Sequence, residues 1–233
     1  MNYIPIGFPF FVLLWVLFAF LVALVEIGVL QYVFESMGVN RRYMLFLLVC
    51  CLLGSYINIP VAQLSGTNVI SGRVTYFFGI PEVVPMVEHW PGTVIAVNLG
   101  GAVIPFLLSL YLIVKNGIYI ESLAAVIIVT VAVHVMAKPV RGVGVVVPIF
   151  IPPLITACVA ILISRCHAAP LAYIAGSLGT LLGADILNLG RIRGMGAPVA
   201  SIGGAGKFDG IFLTGIVAVL IASILGPPRR RAA

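Results

Sequence analysis

Charge is what this sequence has least of. Asp, Glu, Lys and Arg together make up 9% of 233 residues, and 7 acidic plus 13 basic side chains cannot cover the surface of a water-soluble globule, which usually carries about 25% charged residues. With 62% hydrophobic residues, a disordered chain is excluded as well. Cysteine is also scarce. The four cysteines, among them the adjacent pair Cys50 and Cys51, form no Cys-x-x-Cys and no Cys/His cluster of metal spacing, so they read as small core residues and no metal or cofactor is expected. A net charge of +6 lacks a basic tract beyond Arg229-Arg230-Arg231, which argues against nucleic acid as a partner. Met1 to Ile6 lacks the basic start of a signal peptide, so the apolar run after it is expected to stay as an anchor.

Long apolar runs are what the chain has most of. A hydrocarbon core about 30 Å thick needs roughly 20 apolar residues per helix. About seven segments qualify or nearly do: Phe8 to Phe34, Tyr43 to Val61, Val94 to Val114, Ile118 to Ala137, Val145 to Ser164, Ala169 to Leu189 and Asp209 to Leu225. The expected fold is therefore all-α, a polytopic helical bundle forming one integral domain over residues 1–233. Its place is the cell (inner) membrane, and lipid is its first partner.

Odd parity puts the termini on opposite sides. With the Arg triplet in the cytoplasm, Arg41, Arg42, Lys115 and Arg165 join it, leaving Arg73, Lys138, Arg141, Arg191, Arg193 and Lys207 on the other face. Seven positives against six barely orient the chain by the positive-inside rule. The second face still stands out, because it holds the long Gly- and Pro-rich connections. Gln63 to Thr93 reads as a small β-hairpin or lid turning at Gly79-Ile80-Pro81, and Gly190 to Phe208 must be sheltered by protein, line a wet cavity or lie outside the hydrocarbon. Ile104-Pro105 recurs as Ile151-Pro152, and Arg141-Gly142-Val143-Gly144 as Arg193-Gly194-Met195-Gly196, an echo that relates residues 94–144 to 145–196 as a weak parallel repeat.

Ionisable groups inside spans carry the functional information, since each costs at least about 2.5 kcal/mol at the bilayer centre. Glu26, His134 and Asp185 are the clearest, with Asn58, Asn98 and Asn188 the strongest uncharged polar residues. Asp185 lies about one turn from the end of the sixth span and Asp209 opens the seventh, so antiparallel helices would bring both carboxyls into one leaflet. Two adjacent carboxyls cannot both ionise cheaply, and one keeps a proton while the other activates water. Capping of a helix start is the plain role for Asp209, and pairing with His134, Lys138 or a loop arginine the plain role for Asp185.

Ala96-Val97-Asn98-Leu99-Gly100-Gly101-Ala102-Val103-Ile104-Pro105, Gly183-Ala184-Asp185-Ile186-Leu187-Asn188 and Ser201 to Gly215 resemble an uncharacterised prokaryotic family of multi-spanning membrane proteins, known only as a domain of unknown function. That resemblance implies a fold of membrane helices and no activity. More distantly, Gly183-Ala184-Asp185 and Phe208-Asp209 are similar to the Gly-x-Gly-Asp and aromatic-Asp motifs of presenilin-type intramembrane proteases, although Leu182 and Ala184 occupy the two glycine positions and the motif order is reversed. This likeness implies Asp185 and Asp209 as a catalytic pair acting on a transmembrane peptide.

Basic residues support a rival class. Lys138, Arg141, Arg191, Arg193 and Lys207, with Gly203 and Gly204, surround helix starts whose free N–H groups attract anions, so a small anionic solute is a second expected ligand. In that reading His134, Asn188 and the carboxylates relay protons or coordinate an ion in a transporter or channel. A non-catalytic scaffold is the third reading. Glycines at helical spacing, Gly176, Gly179 and Gly183, make a close-packing stripe that also permits homo-oligomers.

Overall fold

The structure, a computed structural model, describes residues 8–77, 80–140, 144–192, 198–204 and 210–226. The chain is mostly helical. In order it forms α1 (Phe8–Met37), α2 (Arg41–Gly54), β1 (Asn58–Phe77), β2 (Ile80–Asn98), a π-turn (Leu99–Val103) running into α3 (Ile104–Asn116), α4 (Tyr119–Met136), β3 (Lys138–Val140) and β4 (Gly144–Val146). Then come α5 (Ile151–Ile163), α6 (Ala168–Thr180), a π-turn (Leu181–Asp185), a 3-10 turn (Ile186–Asn188), α7 (Leu189–Ile192), β5 (Val199–Ile202) and α8 (Gly210–Leu225).

The helical core is centred on α6. Leu171, Ala172, Tyr173, Ile174 and Ala175 are all buried, walled by residues of α4, α5 and α8 such as Val129, Ala157 and Val219. The small-residue stripe explains the depth of that burial. A Cβ added at Gly176 would lie 3.1 Å from Gly215 Cα on α8, and one added at Gly183 would lie 2.6 Å from the Thr130 carbonyl of α4. Backbones this close maximise dispersion contact between helices where lipid supplies no hydrophobic drive.

Two ends of the bundle differ. At one end the turns are tight: Lys115 Nζ, in the last turn of α3, donates to Gly38 O at 2.6 Å, and Tyr32 OH donates to Ser223 O at 3.2 Å, tying α1 to α3 and α8. Gly117 closes α3 in the left-handed region at φ 66°, the usual helix stop. At the other end β1 pairs antiparallel with β2, β2 pairs parallel with β5, and β3 pairs with β4.

Three expectations change here. The second and third spans are cut short because Asn58–Val61 and Val94–Asn98 belong to strands. The hairpin is longer than a small lid: β1 and β2 have 20 and 19 residues, about 65 Å at strand rise, and Ile80 and Pro81 pair with Phe77 and Tyr76 as strand residues. β-branched and aromatic residues favour this pleat, and the pairing slips between Pro60 and Ala62, where proline has no N–H to give. The fifth span is also broken, since helix begins only at Ile151, followed by Pro152 and Pro153, after a strand and a coil. Proline suits a first helical turn, where its missing N–H is not needed.

Candidate functional site

The irregular end of α6 makes the site. At Leu181–Asp185 the helix widens to a π-turn and then tightens to a 3-10 turn over Ile186–Asn188, a change of hydrogen-bond step common at functional positions. Asp185 leaves the helix side pointed at a neighbouring loop: its Oδ2 accepts the Gly203 N–H at 2.7 Å. Gly203 holds φ 89° and is buried, and a Cβ there would sit 2.6 Å from Ala102 Cβ. Only glycine joins that backbone conformation to that approach.

The loop is held from a second direction. Asn98 Oδ1 accepts the Gly101 N–H at 2.8 Å while its Nδ2 donates to Ser55 O at 2.8 Å and Asn58 Oδ1 at 3.1 Å. Ser201 Oγ lies 2.6 Å from Asn58 Oδ1 and 2.8 Å from Gly204 O, so its one proton serves either acceptor. A Cβ on Gly100 would strike the Cys51 carbonyl, and one on Gly101 the Gly203 carbonyl. The hairpin base, the end of α2, the π-turn before α3 and the Asp185 loop are thereby stitched into one unit.

A cavity of about 280 Å³ opens beside this unit. Asp185, Thr180 and Ala184 of the α6 end line it, together with Gly210, Ile211, Leu213 and Thr214 of α8 and the stretch Val145 to Ile149 before α5. Thr180 is 4% exposed and its Oγ1 has no hydrogen-bond partner among the described residues. The oxygen itself is buried, so a ligand or water could bond it only after a small opening of the packing.

His134 and Asn188 form a separate cluster. Asn188, fully buried, donates its two amide hydrogens to Gly183 O and Ala184 O, each at 3.0 Å, and accepts Arg191 Nη1 at 3.3 Å. His134 Nδ1 lies 3.2 Å from Gly183 O and 3.4 Å from Asn188 Nδ2. Since both amide hydrogens already face carbonyls, the tautomer protonated at Nδ1 fits, donating to Gly183 O.

The expected site residues thus separate. Asp185 reaches Gly203, while His134, Asn188 and Arg191 meet around the α6 break. Gly204 joins through its carbonyl, and Lys138 sits exposed in β3, paired in register with Val146. Arg141, Arg193, Lys207 and Asp209 lie outside the described residues. Thr180 and Thr214 are the additions the sequence did not suggest, since threonines are common among the small residues of membrane helices and nothing distinguishes these two until the cavity is seen.

A family model described as Protein of unknown function (DUF1614) matches residues 52–221. The chain belongs to that family. The family region takes in every element that builds the cavity, from the end of α2 to most of α8, and leaves all of α1 and most of α2 outside. No curated protein and no solved structure matches the chain.

Proposed function

We propose that this DUF1614 member is an integral, multi-pass membrane protein that moves a small cation, or a solute coupled to protons, with Asp185 as the coupling carboxylate. Among the described residues, four helices are long and apolar enough to cross a membrane: Trp15–Met37, Leu99–Asn116, Tyr119–Met136 and Ala168–Arg191. Arg42–Gly54, Ile151–Ile163 and Gly210–Leu225 are apolar but shorter. At 1.5 Å per residue the 13 residues of α5 reach about 20 Å, short of a hydrocarbon core of about 30 Å. A crossing there needs the non-helical residues before it at membrane depth, which bilayers tolerate where such backbone lines a cavity.

The observation that carries the reading is that Val145 to Ile149, this non-helical lead-in, line the same cavity as Asp185, at the point where α6 also breaks. Discontinuous helices meeting at a carboxylate are a common construction of ion-coupled carriers, and Thr180, whose buried hydroxyl has no partner among the described residues, lines the same cavity. The test is ion flux in proteoliposomes under an imposed pH or sodium gradient. Flux that disappears in Asp185→Asn and falls in Thr180→Val supports the assignment, and flux indifferent to Asp185→Asn removes this site from the mechanism.

One observation favours a second reading, aspartyl hydrolysis within the membrane. Gly210 lines the Asp185 cavity, and Asp209 is its neighbour in sequence. Hydrolysis requires that Asp185→Asn and Asp209→Asn each abolish cleavage of a single-span reporter; a double variant that still cleaves sinks it.

A further inference from the structure

A second cavity, about 540 Å³, lies among α1, α2, the π-turn before α3 and α8. Its walls are apolar, with Val25, Val29, Leu30, Leu52, Phe212 and Ile216 prominent, and Glu26 is the one charged residue among its described lining. The cavity offers the carboxylate nothing in return. Ser55, the lining hydroxyl, already donates to Leu52 O at 2.7 Å, and no hydrogen bond or ion pair engages Glu26 among the described residues. α1 is continuous from Phe8 to Met37, so the helix gives up no backbone N–H to Glu26 either.

A cavity of this size suits a small ligand of drug-like dimensions. As an ion, a carboxylate on an apolar wall is costly unless a cation or a hydrogen-bond donor meets it, and Glu26 is exposed enough for a ligand to reach. We propose that this cavity binds a lipophilic amine, its ammonium on Glu26 and its hydrocarbon body along α2 and α8. The chemistry on both sides is complementary: the tail leaves water for an apolar wall, and the head neutralises the one charge that wall carries. The site is separate from the cavity at Asp185, with which it shares Leu213, and it does not depend on the transport reading.

The experiment uses the full chain in nanodiscs of zwitterionic phosphatidylcholine and a long-chain alkylamine bearing a diazirine. Photo-labelling is mapped by mass spectrometry and competed by dodecylamine or by dodecanol, which has the same tail without the charge. Labelling on α1, α2 and α8, competed at least tenfold better by the amine, supports the site; that preference disappears in Glu26→Gln and survives in Asp185→Asn. Leu52→Trp, which fills the cavity and keeps the charge, abolishes labelling at the same residues. Equal competition by amine and alcohol, a preference retained in Glu26→Gln, or labels spread evenly over the exposed apolar surface overturns the proposal and leaves an ordinary lipid-filled groove.

Discussion

Glu26 and Asp185 both stand within apolar helical stretches of this chain, and they are accommodated in opposite ways. Asp185 sits where its helix is irregular, with a π-turn behind it and a 3-10 turn ahead, and the Gly203 N–H of another segment comes to it. Glu26 sits in an unbroken helix of 30 residues, beside a cavity whose walls are nearly all hydrocarbon. A charge within a membrane helix calls for a partner. Asp185 finds one in backbone displaced from regular structure, and in the ligand site proposed above Glu26 finds one in a molecule that brings its own charge.

The difference is sharpest in the glycines next to each carboxylate. Gly203→Val meets both a left-handed φ and the Ala102 side chain, and each effect costs on the order of 1 to 3 kcal/mol; Gly28→Val on α1 meets nothing within 4 Å. Thermal unfolding in detergent should show a large loss for the first and a change within about 0.5 kcal/mol for the second. Comparable losses would break the contrast.

Asp185→Ala comes next. It strips the Gly203 N–H of a charged acceptor, a bond worth about 1.5 to 3 kcal/mol, whereas Asp185→Asn keeps an acceptor oxygen at the same place. The asparagine variant should therefore retain most stability while losing ion flux; equal destabilisation by both would make Asp185 a purely structural anchor. Asn98→Ala removes the side chain that caps the Gly101 N–H and links Asn58 to Ser55. A loss of about 1 to 2 kcal/mol is expected, read as earlier proteolysis of the β1–β2 hairpin base. Glu26→Gln is expected to have the smallest stability effect, within about 0.5 kcal/mol, because no donor in the described protein is deprived by it; a larger loss of thermal stability would reveal a structural bond there.

How far the sequence can be read depends on the kind of signal. Apolar runs gave α1, α4 and α6 nearly whole, since the length of such a run is itself the physical requirement for a span. The same signal failed at Asn58–Val61 and Val94–Asn98, where β-branched residues are as apolar as helix formers and the pairing that makes them strands comes from residues up to 40 positions away. Among site residues, Asp185, Asn98 and Asn188 are legible because a polar group in an apolar run is costly and needs a partner. Thr180 is not, because a hydroxyl in a helix ordinarily bonds to its own backbone and attracts no notice.

Composition and run length alone determined that this chain is rich in apolar helices, that its charges gather at segment ends, and that Glu26, His134 and Asp185 are the side chains in need of partners. Which partners His134 and Asp185 found was decided by tertiary structure. The π-turn at Leu181–Asp185, the left-handed Gly203 that meets it and the coil that lines its cavity arise from how separate segments pack. Hydrophobicity acts through the area that each residue removes from water, a property local enough to be read residue by residue. A hydrogen bond across 18 residues, or a cavity between three segments, exists only once their backbones are held at fixed distance.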